Sequence, residues 1–404
     1  MNSPGLLPAI VLLLTASMPA VHALGIRILH QDPDATARGE AFTATADKPS
    51  AIYYNPAGIT QLEGDNLQLG AYSIAINVDH RAAGTRRFSD TPDRFQSIAQ
   101  LFYTRTLATA RATVGFGVYS PYGLGTEWPD ESPFRSYATK SKLVYLCLNP
   151  VAAIKLTDSL SVAGGLTANY GHADLRRGVL VPGDEFRFDG DGWSYGFTAG
   201  ILWQPAKEHS FGIMYRSRSI MDFDGSVRVH SRTPLLFPSS REQASLDFDF
   251  PQHVMFGYSY RPAPGWNFEA DVDWTDWQDV GTLHIRKNSG DLFQTFDWRS
   301  RFTYKVGASH AFGKRFTLSA GYFYGENATP DRNFNPSVPN LTLHVFSIGG
   351  SYRSESWDIG LTYNLGYGPK RTVSGSTPTS VGETADGDYT FIGHGLSFAV
   401  SRRF

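Results

Sequence analysis

From Trp266 to Trp274 the chain reads WNFEADVDW, with Trp266, Phe268, Ala270, Val272 and Trp274 at alternate positions and Asn267, Glu269, Asp271 and Asp273 between them. A strand sends successive side chains to opposite faces, so this segment predicts a strand with one apolar and one polar face. The pattern recurs at Phe316–Tyr322, Trp357–Leu365, Tyr195–Ile201 and Leu160–Tyr170. The polar positions are rich in Gly, Ser, Thr, Asn and Asp, and the apolar stripes often carry a ring near an end. A soluble sandwich alternates too, with its apolar face inward. A polar face of small residues and aromatic ends fit the inverted arrangement of a membrane barrel, with a wet lumen and interfacial girdles.

The breaks between strands sort by length. Short ones fall at Leu107–Ala110, Thr157–Ser159, Pro205–His209, Arg261–Gly265, Phe312–Arg315 and Arg353–Ser356. Long ones fall near 80–94, 121–140, 176–191, 230–241, 287–295, 326–339 and 369–386. Short and long alternate strictly, which predicts an all-β protein: a transmembrane antiparallel barrel of about fourteen strands with short turns at one end and long outer loops at the other. The chain ends in Phe404, with Val400, Phe398, Leu396, His394 and Ile392 at alternate positions upstream; Arg402 departs from that stripe. A terminal Phe on such a stripe is similar to an outer-membrane insertion signal.

Two segments stand outside the alternation. Leu6–Ala20 is apolar and is followed by Val21-His22-Ala23, the small-residue pattern of a cleavage site, so residues 1–23 predict a signal peptide, although Met1–Gly5 holds no Lys or Arg. Residues 24–66 carry many small residues and the turn chemistry of Asn55-Pro56 and Ala57-Gly58. They predict a plug of short helices inside the lumen, with residues 67–404 forming the barrel. A barrel of this size encloses more room than its own side chains fill.

Composition narrows the class. Of 404 residues, 18% are charged, 14% aromatic and 41% hydrophobic, the net charge is −2, and there is one cysteine, Cys147. Disorder is excluded by the rings and the low net charge, a polybasic nucleic-acid binder by the charge balance, and an internal disulfide by the single thiol. Only one apolar run long enough for a membrane helix exists, and it is the N-terminal one. The mean hydropathy of −0.26 argues against a helical membrane protein only, because a barrel places its apolar residues at every second position.

The segment ATARGEAFTATADKPSAIYYNPAGITQLEG, ending at Gly64, resembles the N-terminal hatch of the FadL-type long-chain fatty acid transporters of Gram-negative outer membranes. That family also contains aromatic-hydrocarbon uptake channels. Tyr122-Gly-Leu-Gly-Thr-Glu-Trp128 with Phe134-Arg-Ser-Tyr137 resembles its long loop after the third strand, and Asn149–Leu166 its next hairpin. The likeness is strong to about residue 175 and loose beyond; Pro339-Asn-Leu-Thr-Leu departs from the usual pattern.

The resemblance implies passive outer-membrane transport of hydrophobic molecules, long-chain fatty acids first. Aromatic-hydrocarbon uptake is the alternative within the family; a lipid hydrolase or an adhesion barrel is the alternative outside it. It implies an apolar landing site in the outer loops (Leu124, Trp128, Phe134 and Tyr137), a cation for a carboxylate head (Arg135, Lys140 or Lys142), a hatch positioned under its gate by the turn at Asn55, Pro56, Ala57 and Gly58, and lateral exit at a bend in the third strand, where Gly115 and Gly117 stand. Blander readings stay open: a solvated loop, a tight turn at Asn55-Pro56, and glycines that make room for the plug. The expected partners are a hydrophobic ligand, outer-membrane lipid and lipopolysaccharide, with no nucleic acid, and the chain is expected to act as a monomer. No cofactor or metal is expected: no HExxH, GxSxG, P-loop or CxxC motif occurs. The three carboxylates Glu269, Asp271 and Asp273 share one face, which suggests a cation site or an acid/base pair, or else a lumenal ladder paired with basic residues on neighbouring strands, for which Arg299 and Arg301 are candidates.

Overall fold

In a computed structural model, which describes residues 25–84, 88–91, 94–108, 111–235 and 238–404, one antiparallel sheet closes on itself. The expected signal peptide lies outside the described residues. Fourteen wall strands follow in chain order: β1 Asp65–Ala82, β2 Phe88–Asp90 with Arg94–Thr106, β3 Ala112–Tyr119 continued by Leu124–Glu127, β4 Lys140–Lys155, β5 Leu160–Arg177, β6 Glu185–Ala206 and β7 His209–Arg216 with Ser219–His230. The second half holds β8 Ser240–Phe250 with His253–Tyr260, β9 Trp266–Thr275 with Thr282–Lys287, β10 Leu292–Thr295 with Arg301–Phe312, β11 Phe316–Gly325, β12 Leu343–Arg353, β13 Trp357–Val373 and β14 Gly387–Arg403. β14 pairs with β1 from Asn66↔Arg403 to Ala82↔Gly387, which closes the first strand on the last.

The faces are inverted relative to a soluble protein. Leu166, Tyr195 and Ile348 are 70%, 73% and 64% exposed, whereas Asp273 and Ser397 are fully buried. Water on both sides would make such a surface untenable; hydrocarbon outside and a polar lumen inside make it the low-energy arrangement. Arg402, the departure in the last stripe, lies with its guanidinium over the rings of Trp357 (5.1 Å) and Phe404 (4.7 Å). The two rings take up its charge at the end of the wall.

The strand ends correct the sequence reading above the bilayer: the predicted break at 287–295 shrinks to the residues between Lys287 and Leu292, and the break at 121–140 holds the strand Leu124–Glu127. The predicted long break at 176–191 is short, because β5 runs to Arg177 and β6 begins at Glu185. Asp174, Arg176, Arg187 and Asp189 continue the alternation as ion pairs, which in the sequence look like loop.

Residues 25–64 lie in the lumen. They contain α1 Pro33–Ala37, capped by Asp32 Oδ1 accepting from the backbone N–H of Asp34 (2.7 Å) and Ala35 (3.1 Å), α2 Ala51–Tyr54, and a 3₁₀ turn Pro56–Gln61. Helices of five and four residues are too short to be stable alone; the barrel holds them. Thr362 donates to Pro33 O (2.6 Å), Ser210 to Ala44 O (2.6 Å), and Lys48 bridges Asp34 (2.7 Å) of the plug and Asp358 (2.5 Å) of β13. At Gly212 a Cβ would come within 2.1 Å of Thr43 O, so a side chain there would push the plug off the wall.

Candidate functional site

The carboxylate row on β9 is the plug's main anchor. Asp271 Oδ2 accepts from the backbone N–H of Phe42 and Thr43, both at 3.0 Å. Glu269 Oε1 accepts from Ala44 N (2.7 Å) and Thr45 N (3.2 Å), its other oxygen accepts from the Thr45 hydroxyl, and Arg38 lies 3.8 Å away. Asp273 is bridged by Arg27 of the plug (2.9 Å) and by Lys305 of β10 (2.8 Å). The expected cations, Arg299 and Arg301, are not the partners: Arg301 donates to Asn327 O (2.7 Å) and Arg299 is exposed. The partners are plug N–H groups, which leave no side-chain signature in a sequence.

Asn55 staples the plug to the opposite wall. Its Nδ2 donates to Thr43 O and to Ile201 O of β6, each at 2.9 Å, and its Oδ1 accepts from Ala57 N at 3.2 Å. Pro56 follows as the first residue of the 3₁₀ turn, where a missing N–H costs nothing. Gly58 packs against Ala46, whose carbonyl oxygen would lie 2.1 Å from a Cβ.

The wall is incomplete between β2 and β3. Leu101–Thr106 of β2 pair with Val118–Thr113 of β3, but Arg94–Ile98 of β2 pair only with β1. β3 leaves the ladder after Tyr119 and turns inward over Ser120–Gly123. Plug residues hold that bend: Ile28 N donates to Pro121 O (2.8 Å), Gly123 N to Ile26 O (2.9 Å), and Gln31 Nε2 to Ser120 O (2.9 Å). Tyr122, at its tip, donates across the lumen to Pro251 O (2.9 Å). Gly115 and Gly117 are not where the strand bends. Both lie in regular pairing with β2 and β4, and a Cβ on either would meet Ile52 of the plug at 2.9 Å.

Above the plug an apolar cavity of about 160 Å³ lies inside the upper wall. Ile26, Phe186, Phe223, Leu246, Phe296 and Trp298 line it. Of the expected landing residues, Leu124 and Tyr137 line this cavity. Trp128 and Phe134 do not: they are buried in the loop cap, where Trp128 Nε1 donates to Pro336 O (2.9 Å) and Phe134 meets Trp128 and His80 edge-on at 4.9 and 4.8 Å. They shape the cap instead of offering an exposed surface.

None of the expected head-group cations reaches the cavity. Arg135 is buried in the loop on Asp130 (2.7 Å) and Asp184 O (2.9 Å). The Asp184 carboxyl in turn is held below the usual range by the backbone N–H of Arg232 and Val181. Lys140 and Lys142 alternate with Ser141 and Leu143, which line the cavity, so the two lysines face outward. Arg176 and Arg177, at the end of β5, both border the cavity; Arg176 is held by Asp174 (2.8 Å), which leaves Arg177 as the cation the cavity presents. Its guanidinium lies 4.9 Å from the centre of the Phe186 ring, and among the described residues no carboxylate pairs with it. Its signal was the inward stripe Ala173, Leu175, Arg177, obscured because the segment reads as loop.

Comparison with known proteins follows the same lines. Residues 15–404 match the model of a family described as outer membrane protein transport protein (OMPP1/FadL/TodX). A long-chain fatty acid transport protein of Escherichia coli O6:H1 is 24% identical over 375 residues, covering 81% of this chain and 84% of that protein. The crystal structure of a Pseudomonas aeruginosa FadL homologue superposes with a TM-score of 0.84 at 18% identity, covering 94% of this chain and all of that one. The Pseudomonas putida toluene transporter TodX gives a TM-score of 0.74 at 16% identity, covering 94% and 99%.

Proposed function

The chain belongs to the OMPP1/FadL/TodX family of outer membrane transport proteins, and on that premise we propose that it carries hydrophobic molecules with an anionic head, long-chain fatty acids foremost, through the outer membrane. It is a transport protein and not an enzyme. The observation that supports a fatty acid is Arg177, a guanidinium without a carboxylate partner among the described residues, set on the wall of an apolar cavity. Burying an unpaired charge is costly, and a ligand carboxylate offsets that cost with a bidentate, charge-assisted pair. The name of the Escherichia coli relative points the same way.

In this reading the ligand enters beside Leu124 and Tyr137, lays its chain along Phe186, Phe223 and Leu246, and sets its carboxylate on Arg177. Release follows movement of Ile26–Gln31, the segment that holds the bend of β3 from inside. The chain then slips sideways through the gap between β2 and β3 into the bilayer. Asn55, Pro56, Ala57 and Gly58 act as the fixed end of the hatch, and Gly115 and Gly117 let Ile52 ride against β3. The barrel acts as a monomer, since β1 and β14 close it without a second chain.

The Asn55→Ala variant loses three hydrogen bonds, worth about 1 kcal/mol each. Uptake of a labelled fatty acid is expected to fall severalfold while the barrel keeps its folded, heat-modifiable gel mobility; unimpaired uptake removes Asn55 from the hatch.

A second reading has its own observation: the rings of Phe186, Phe223, Phe248, Phe296 and Trp298 also suit an aromatic hydrocarbon, as the name of the TodX neighbour suggests. Native mass spectrometry of the purified protein separates the two. Co-purified fatty acid is the expected result, and a neutral aromatic ligand with no fatty acid transfers the assignment.

A further inference from the structure

The wall over β4–β8 rises well beyond the bilayer. β6 alone is 22 residues long, where roughly 9–11 suffice to span. On its outer face Trp193 packs with Tyr170 of β5 (ring centres 5.4 Å apart), an aromatic pair of the kind that marks the membrane interface. Arg187 stands six residues further along β6, about 20 Å along the strand. The outer surface at that level lies on the water side of the ring pair, outside the hydrocarbon core, where the polar part of the outer leaflet's glycolipid stands.

At that level the register sets five cations side by side on five neighbouring strands: Lys140↔Arg176, Arg176↔Arg187, Arg187↔Arg228 and Arg228↔Arg241. They face outward, because the alternate residues Ser141, Leu175, Phe188 and Val227 face the interior, with Phe188 and Val227 buried. Three of the five are answered by carboxylates. Lys140 lies 3.6 Å from Glu127, Arg176 2.8 Å from Asp174, and Arg187 2.8 Å from Asp174 and 2.5 Å from Asp189. Arg228 and Arg241 are exposed and directly opposed across β7 and β8, and their side chains make no ion pair or hydrogen bond among the described residues. The next outward positions toward the membrane are Ser226 and Gln243, which are neutral.

Two like charges directly opposite on adjacent strands destabilise a sheet unless an anion lies between them. We propose that Arg228 and Arg241, with Arg187 beside them, form a docking surface for a phosphate of the phosphorylated glycolipid that makes up the outer leaflet. The charge complementarity is specific. Guanidinium forks match phosphate oxygens two by two, and neighbouring strands about 4.8 Å apart place two such forks on one phosphate or on a close pair. β5–β8 are also the strands whose inner faces carry Arg177, Phe186, Phe223 and Leu246, so glycolipid seated outside braces the wall of the cavity.

The test uses the full chain purified in detergent, mixed with a rough-type lipid A–core glycolipid or with the same glycolipid after enzymatic dephosphorylation, and read by native mass spectrometry. The protein is expected to retain the phosphorylated form and not the dephosphorylated one. R228Q/R241Q should lower retention about tenfold or more, and R228E/R241E should abolish it, with both variants keeping folded gel mobility. Equal retention by R228Q/R241Q and the unmodified protein overturns the assignment. So does equal retention of the two glycolipid forms, or binding of inorganic phosphate alone with no glycolipid held.

Discussion

Replacing Arg177 with Gln is expected to lower the uptake of a long-chain fatty acid by about tenfold to a hundredfold while leaving uptake of its methyl ester unchanged. The range follows from a hydrogen-bonded ion pair in an apolar cavity, worth about 1.5–3 kcal/mol, with 1.4 kcal/mol for each factor of ten. Gln keeps a polar planar amide on a stem two bonds shorter, so the charge, the fork and the contact with the Phe186 ring are removed while the site stays polar. The ester is the essential control. It fills the same hydrophobic volume along Phe186 and Phe223 but presents no negative charge. A loss of both substrates would mean that Arg177 shapes the wall and does not read the head. A loss of neither would move the head group elsewhere. Arg177→Lys is expected to fall between: it keeps the charge but gives up the bidentate fork and the contact with the Phe186 ring.

That Arg177 and not Lys140, Lys142 or Arg135 faces the cavity turns on where strands end, and this is where the sequence was least legible. In the bilayer the constraint is severe. Leu166 and Tyr195 must face lipid and Asn169 and Ser194 must not, so period two survives intact and all fourteen strands could be counted. Above the bilayer the outer face is free to be polar. Asp174, Arg176, Arg187 and Asp189 alternate with Leu175 and Phe188 just as strictly, but ion pairs replace rings on the outside and the contrast that identifies a strand fades. The loop aromatics fail for another reason. Composition cannot say whether a ring is offered to solvent or packed beneath a loop, and Trp128 and Phe134 are packed. The bend of β3 was expected at glycines because glycine permits a bend. It lies instead at Ser120–Gly123, where hydrogen bonds with Ile26–Gln31 hold it, and no local pattern in residues 111–119 encodes them.

The plug's attachment gives the other large effect. Four consecutive backbone N–H groups, Phe42 to Thr45, end on two carboxylates of one strand, Asp271 and Glu269. These N–H groups are deep in the lumen, and among the described residues their hydrogen bonds run to these two carboxylates. Replacing both acids by Ala leaves all four without partners, at about 1–3 kcal/mol each. The sum, roughly 4–12 kcal/mol, is comparable to the whole stability of a small domain, whereas the segment's helices of five and four residues have almost none of their own. The Glu269→Ala/Asp271→Ala protein is therefore expected to keep its barrel, because the β9 ladder to β8 and β10 runs through the backbone and is untouched, but to lose its seated plug. Planar-bilayer recordings should change from a closed baseline to large, persistent conductance steps, and cells carrying the variant should become sensitive to bulky hydrophilic antibiotics. The isosteric pair Glu269→Gln/Asp271→Asn keeps an oxygen acceptor at each position and should be far less leaky. A baseline that stays closed in the Ala double variant, with folded gel mobility retained, would show that Asp273 with Arg27 and Lys305, Lys48 with Asp34 and Asp358, and the Asn55 staple hold the plug without the β9 pair. The hatch would then be a rigid stopper, and release between β2 and β3 would have to come from motion of Ile26–Gln31 alone.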